Sequence, residues 1–340
     1  MSGCGGAASL RCLPCVVGFR ERGPKDLDFG HGTRSRSFGN RTPTRTARLR
    51  FTIVLMHCRE STLTLPDGRD LAYAEYGPPD GQPIVFFPGF GHDRFGCLPP
   101  AGSIRLVAVD RPGIGASSRQ PGRTILRFAE DIECLLDRLR IGAAALLSWS
   151  AGGPYALAAC ARMRDRVKAA TLVSATAPPG MGIPLAGMDP VVHGMWRIAG
   201  ISRVLIAVQL ATLRLAAQYH SDLLLRSLYL TAPRCDRDIV ARPEVREMFS
   251  RTFRTASAPG VAGLIDELTL LSKPWTVDLD HIQGATVEFI YGDKDRLTPP
   301  VIGVRLSRLL PGSRLTVIPG AGHQWIWANW STVLAATLGQ

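Results

Sequence analysis

No run of this sequence is apolar for long enough to cross a membrane. The longest candidate, Ile201–Ala217, is broken by Arg203, Gln209 and Arg214 at near-helical spacing. That pattern marks an amphipathic helix and not a span, which needs about 20 apolar residues. A disulfide framework is also missing. The eight cysteines (Cys4, Cys12, Cys15, Cys58, Cys97, Cys134, Cys160 and Cys235) have no framework spacing. Cys12-Leu13-Pro14-Cys15 lacks the strand-then-helix setting of a redox pair. Reduced thiols and a cytoplasmic location are the expectation. The chain shows no nucleic-acid motif, no secretion signal and no internal repeat.

What is present is a core-forming composition and an uneven charge. Of the 340 residues, 46% are hydrophobic, enough for one large domain or a domain carrying an insertion. The formal charge is +12, but residues 1–57 hold ten basic and three acidic residues, a net +7. This leader reads as a disordered tail, or as residues upstream of a start at Met56.

From residue 58 onward short apolar runs alternate with helical patterns. Ser61–Leu65 and Leu71–Tyr76 flank Pro66-Asp67-Gly68 and read as a hairpin. Ile84–Phe87, Ile104–Val109, Ala143–Leu147, Ala170–Val173, Val287–Tyr291 and Leu315–Ile318 are continuous apolar runs, as strands buried on both faces of a parallel sheet require. Ile125, Phe128, Ile132, Leu135, Leu136 and Leu139 mark one face of a helix. Further helices are expected over Pro154–Arg162, Val301–Leu310 and Trp327–Leu338. Residues 176–283 break the rhythm with Pro178, Pro179, Pro184 and Pro190, then several helix-like stretches and no clear buried strand. The expected division is a core of 58–175 and 284–340 with a helical insertion at 176–283.

Three loops carry chemistry. A serine hydroxyl is a weak nucleophile and needs a base, an orienting acid and donors for the developing oxyanion. Ser148-Trp149-Ser150-Ala151-Gly152-Gly153 joins a strand to a helix, and small residues beside Ser150 let the two pass closely. Asp293 and Asp295 follow the run Val287–Tyr291, and Asp295 is the preferred acid. His323 follows the last run in Gly320-Ala321-Gly322-His323, a setting shared by none of the other six histidines.

Taken in order, these loops resemble the α/β-hydrolase fold family. The resemblance covers residues 61–340. It extends to Phe86-Phe87-Pro88-Gly89-Phe90-Gly91, similar to the family's oxyanion loop, and to Asp110-Arg111-Pro112-Gly113-Ile114-Gly115-Ala116-Ser117, similar to its turn after the fourth strand. It implies an α/β fold, a mostly parallel sheet flanked by helices, with a helical cap inserted after the sixth strand. It also implies a serine hydrolase with Ser150, His323 and Asp295 as catalytic triad, and the backbone N–H groups of Phe90 and Ala151 as oxyanion hole. The implied reaction is acyl transfer on an ester or related carbonyl compound, without cofactor or metal. The partner is a small, lipophilic substrate, with no nucleic acid and no stable membrane insertion.

The chain departs from the family at three places. Pro88 replaces the histidine of the oxyanion loop, Ser148 replaces the first glycine of the nucleophile turn, and Pro99-Pro100 stands where a full helix is usual. Serine at 150 argues against epoxide hydrolase and dehalogenase chemistry, which use aspartate there. A ligand-binding protein of the same fold, and a carbon–carbon bond hydrolase or lyase, are the alternatives. Trp149 and Trp325 are candidates for pocket lining. A solvated loop is expected over His92-Asp93-Arg94, and a turn-holding role for Asp110 and Arg111.

Overall fold

The computed structural model describes residues 58–177, 187–274 and 277–340, together with a two-residue strand pair, Cys15–Val16 with Leu55–Met56. The rest of the basic leader lies outside the described residues.

Eight strands form one sheet: β1 (Arg59–Thr64), β2 (Asp70–Tyr76), β3 (Gln82–Phe87), β4 (Ile104–Val109), β5 (Ala144–Trp149), β6 (Val167–Val173), β7 (Thr286–Gly292) and β8 (Arg314–Ile318). Their spatial order is β1-β2-β4-β3-β5-β6-β7-β8. The β1–β2 and β2–β4 pairs are antiparallel, and every other pair is parallel.

The continuous apolar runs are explained by two-sided burial. Side chains alternate along each strand, so Val85, Phe87, Val107, Leu146 and Leu172 enter one core. It is shared with α1 (Ile125–Arg138), α2 (Gly153–Arg162) and α9 (Val301–Leu309). Ile84, Phe86, Leu106, Leu147, Trp149 and Val173 enter a second core on the other face. The apolar stripe of α1 is buried, and its start is fixed by Thr124, whose Oγ1 accepts from Arg127 N at 3.1 Å.

Among the described residues six α-helices lie between β6 and β7 in the sequence: α3 (Pro190–Ile201), α4 (Arg203–Tyr219), α5 (Ser221–Leu228), α6 (Arg234–Val240), α7 (Pro243–Ala256) and α8 (Ala262–Leu271). They form a third core of Ala199, Ile206, Leu210, Ala256, Leu264 and Leu268, which also takes in Ile114 from the turn after β4. Val245, Met248 and Phe249 of α7 join the second core.

Two local differences from the sequence reading stand out. The last helix is two, α10 (Trp325–Ala328) and α11 (Trp330–Thr337). Asn329 leaves helical geometry between them, and its Nδ2 donates to Trp325 O at 2.9 Å, serving a carbonyl that the continuous helix would have used. His92 and Asp93 are buried and not solvated. The β3–β4 connection holds no helix, and this loop turns inward: Asp93 accepts from Thr252 Oγ1 of α7 at 2.6 Å, and the His92 ring meets Trp149, Phe249 and Phe253 edge-on.

Candidate active site

Ser150 sits directly after β5, in the left-handed region at φ 55°. A residue with a Cβ rarely adopts that geometry, and such strain collects at functional sites. The neighbours make it attainable. A Cβ on Gly152 would lie 2.1 Å from Phe87 O, and one on Gly153 would lie 2.5 Å from Ala175 Cβ. Only glycine lets the chain turn there. Ser148 keeps its Cβ inside the sheet, with its hydroxyl buried and unpaired among the described residues.

Asp295 and His323 are brought together. Asp295 follows β7, His323 follows β8, and both are buried. Asp295 Oδ2 lies 2.9 Å from His323 Nδ1. Asp295 Oδ1 accepts from the N–H groups of Leu297 at 2.9 Å and Thr298 at 2.8 Å, which fixes the carboxylate. Thr298 Oγ1 sits 3.0 Å from both Asp295 Oδ2 and His323 Nδ1. Asp293 is spent elsewhere: its Oδ1 accepts from Gly320 N at 2.7 Å and it pairs with Lys294.

The loop after β3 passes close to Ser150. A Cβ on Gly89 would lie 3.3 Å from Ser150 Cβ and 2.8 Å from the Trp149 ring. Phe90 is half-buried beside it, and Ala151 is buried. Trp149 is packed among His92, Phe249, His323 and Trp327, and its Nε1 donates to His323 O at 3.2 Å. Trp325 is partly buried at the edge of the same core.

Two residues that the sequence reading did not place at the site hold it in shape. Arg111 is wholly buried. It donates to the carbonyls of Pro88 and Gly89, the latter at 2.8 Å, and pairs through Nε with Glu267 of α8 at 2.7 Å. Glu267 also pairs with the buried Arg123. Asp236 of α6 accepts from His323 N at 3.1 Å and from Gln324 N at 2.7 Å. Burial pushes its carboxyl above the usual range, opposed by those N–H groups and the nearby imidazole. Its one trace in the sequence is Gly322, where a Cβ would lie 2.3 Å from an Asp236 oxygen.

Burial, with the positive charge of Arg111 nearby, pushes the His92 imidazole down to about 3. His92 is therefore a neutral packing residue. Among the described residues no group of three or more His, Cys, Asp or Glu could hold a metal ion.

The family model of the alpha/beta hydrolase fold matches residues 82–329. The chain belongs to the α/β-hydrolase fold family. A non-heme chloroperoxidase of Streptomyces lividans is 32% identical over 143 residues, 38% of this chain and 51% of that protein. The chain thus aligns with about half the length of that relative. A pimeloyl-[acyl-carrier protein] methyl ester esterase of Neisseria meningitidis is 27% identical over 64% of this chain and 75% of its own. Among solved structures, an enol-lactonase from Burkholderia xenovorans superposes with a TM-score of 0.59 at 19% identity, over 82% of this α/β-hydrolase and 100% of that chain.

Proposed function

We propose that this α/β-hydrolase is a serine hydrolase that cleaves an ester or related carbonyl substrate through an acyl-enzyme. The observation that carries the reading is the 2.9 Å bond from Asp295 to His323, on loops neighbouring a serine held at φ 55°. His323 takes the Ser150 proton as Oγ attacks the carbonyl carbon, and the oxyanion is met by the N–H groups of Phe90 and Ala151. Collapse of the tetrahedral species breaks the bond to the leaving group, which receives the proton from His323. Water, deprotonated by His323, then releases the acid and restores Ser150. Asp295 keeps the proton on Nδ1 and stabilises the cation that forms.

In this reading residues 58–175 and 284–340 form the catalytic core. The insertion at 176–283 is a cap that selects a small, lipophilic substrate. The name of one relative, a methyl ester esterase, supports an ester substrate. Hydrogen peroxide in place of water at the second step would give a peracid and the same free serine.

Labelling by a fluorophosphonate probe, beside hydrolysis of short- and long-chain p-nitrophenyl esters, tests the proposal. Both activities are expected in the wild type and absent in Ser150→Ala, since removing a triad serine costs about 10⁶-fold. A folded wild type that neither labels nor turns over would overturn it in favour of a binding protein.

A further inference from the structure

Helix α4 is apolar around most of its circumference. Ile206, Leu210 and Ala217 face inward and are buried. On the opposite side Val204 is 72% exposed, Leu205 59%, Val208 63%, Leu215 53% and Tyr219 73%. At roughly 100° per residue these five fall in one sector, completed by Ala211 and Thr212 and free of charge. Ile201 precedes the row in the chain, and Leu223, Leu228 and Leu230 follow it, all exposed. A helix apolar on both sides is ordinarily covered on both sides, and a patch this continuous marks an interaction surface.

The charge around the patch says what covers it. α3 and α4 contain no Asp or Glu, but they carry Arg197, Arg203 and Arg214. Arg197 is exposed; Arg203 pairs with Asp266, and Arg214 donates to Ser257 O, both at the border of the sector. Arg226 stands exposed on α5, whose one acid, Asp222, is paired with Arg246, and residues 58–340 carry a net +5. A two-fold pairing of α4 with a second copy would set these basic borders against each other with no carboxylate from α3 or α4 to meet them. A lipid surface with anionic headgroups offers both complements at once, acyl chains for the apolar sector and phosphates for the exposed Arg197 and Arg226.

We propose that the outer face of α4 docks on an anionic lipid surface. The helix lies in the interface and does not span it; among the described residues no helix is long and apolar enough to cross a membrane. The inner face of the same helix packs with Leu264 and Leu268 of α8. That helix carries Glu267, the partner of Arg111. The docking face is thus one helix layer away from the loop that holds Phe90.

Flotation of the full chain with vesicles tests this. The wild type is expected to float with vesicles of phosphatidylcholine and phosphatidylglycerol, and much less with phosphatidylcholine alone. Val208→Glu/Leu215→Glu should lower the bound fraction at least about tenfold, with the melting temperature unchanged. Val208→Ser/Leu215→Ser provides a second, uncharged variant should the first fail to fold. Three results would overturn the proposal. One is a wild type that binds neither vesicle, and another is binding that persists in the folded variants, which would put the affinity in net charge alone. The third is a dimer seen by sedimentation, abolished by the substitutions, without vesicle binding; a second copy would then be the cover.

Discussion

Arg111 fixes the direction of an N–H group that it never touches. Its Nη2 donates to Gly89 O at 2.8 Å, and that carbonyl shares a planar peptide with the N–H of Phe90. The N–H points opposite to the C=O, so holding one aims the other. The guanidinium grips the carbonyl of Pro88 as well.

Arg111→Met should therefore cost activity and stability separately. One oxyanion donor is worth about 10²–10³ in rate, and a loss of that order in kcat is expected. Glu267 would keep only Arg123 as a charged partner, and breaking a buried pair costs about 3–5 kcal/mol. The triple variant Arg111→Met/Arg123→Met/Glu267→Met, which leaves none of the three buried charges without its partner, should regain much of the melting temperature but not the rate. Recovery of both would show that Arg111 is structural only.

Asp236 gives a second test. Asp236→Ala removes the acceptor for two buried N–H groups, His323 and Gln324. Gly322→Ala expels the same carboxylate by crowding. Both should lower kcat more than they raise KM, and both should slow fluorophosphonate labelling, because the imidazole loses its register. Unequal phenotypes in folded proteins would break the link between Gly322 and Asp236.

The two acids after β7 can be told apart by kinetics. Asp295→Asn leaves the wrong tautomer of His323 favoured, and a loss of about 10⁴ in kcat is expected. Asp293→Asn disturbs only the contact to Gly320 and the pair with Lys294, and should stay within a few-fold of wild type. The reverse ranking would reassign the acid.

Acid stability should depend on His92. Its folded pKa is pushed down to about 3, from an ordinary 6.5. The unfolded chain then takes up a proton that the native state refuses. The contribution is present above pH 6.5 and is lost as pH falls toward 3. Over that window it amounts to about 5 kcal/mol. His92→Phe keeps an aromatic ring among Trp149, Phe249 and Phe253. Its urea midpoint should therefore fall less steeply between neutral and acid pH. An unchanged slope would move the acid sensitivity to other groups.

The parts of the candidate site legible in the sequence were those that chain order carries. Ser150, Asp295 and His323 each follow an apolar run, and such runs announce themselves without knowledge of their neighbours. Gly152 and Gly153 were legible because a sharp turn demands them. Arg111 was read as holding a turn, since its carbonyl partners are the same atoms in every residue and leave no signature. His92 was misread as solvated because the three aromatic rings around it come from β5 and α7, far away in the chain. The break at Asn329 turns on a single side-chain bond that periodicity does not register.

The grip of Asp236 on His323 has a consequence for anyone recombining this protein with its relatives. The helices between β6 and β7 look like an exchangeable module, entering and leaving the sheet on one side of the sequence order. Yet one of them supplies the acceptor for the backbone of the His323 loop, 87 residues away. If the proposed function holds, a chimera that imports another set of helices imports its substrate preference and discards a support of the proposed base. Exchange is expected to succeed only when the donor helices bring a carboxylate to face Gly322, or when the histidine loop travels with them.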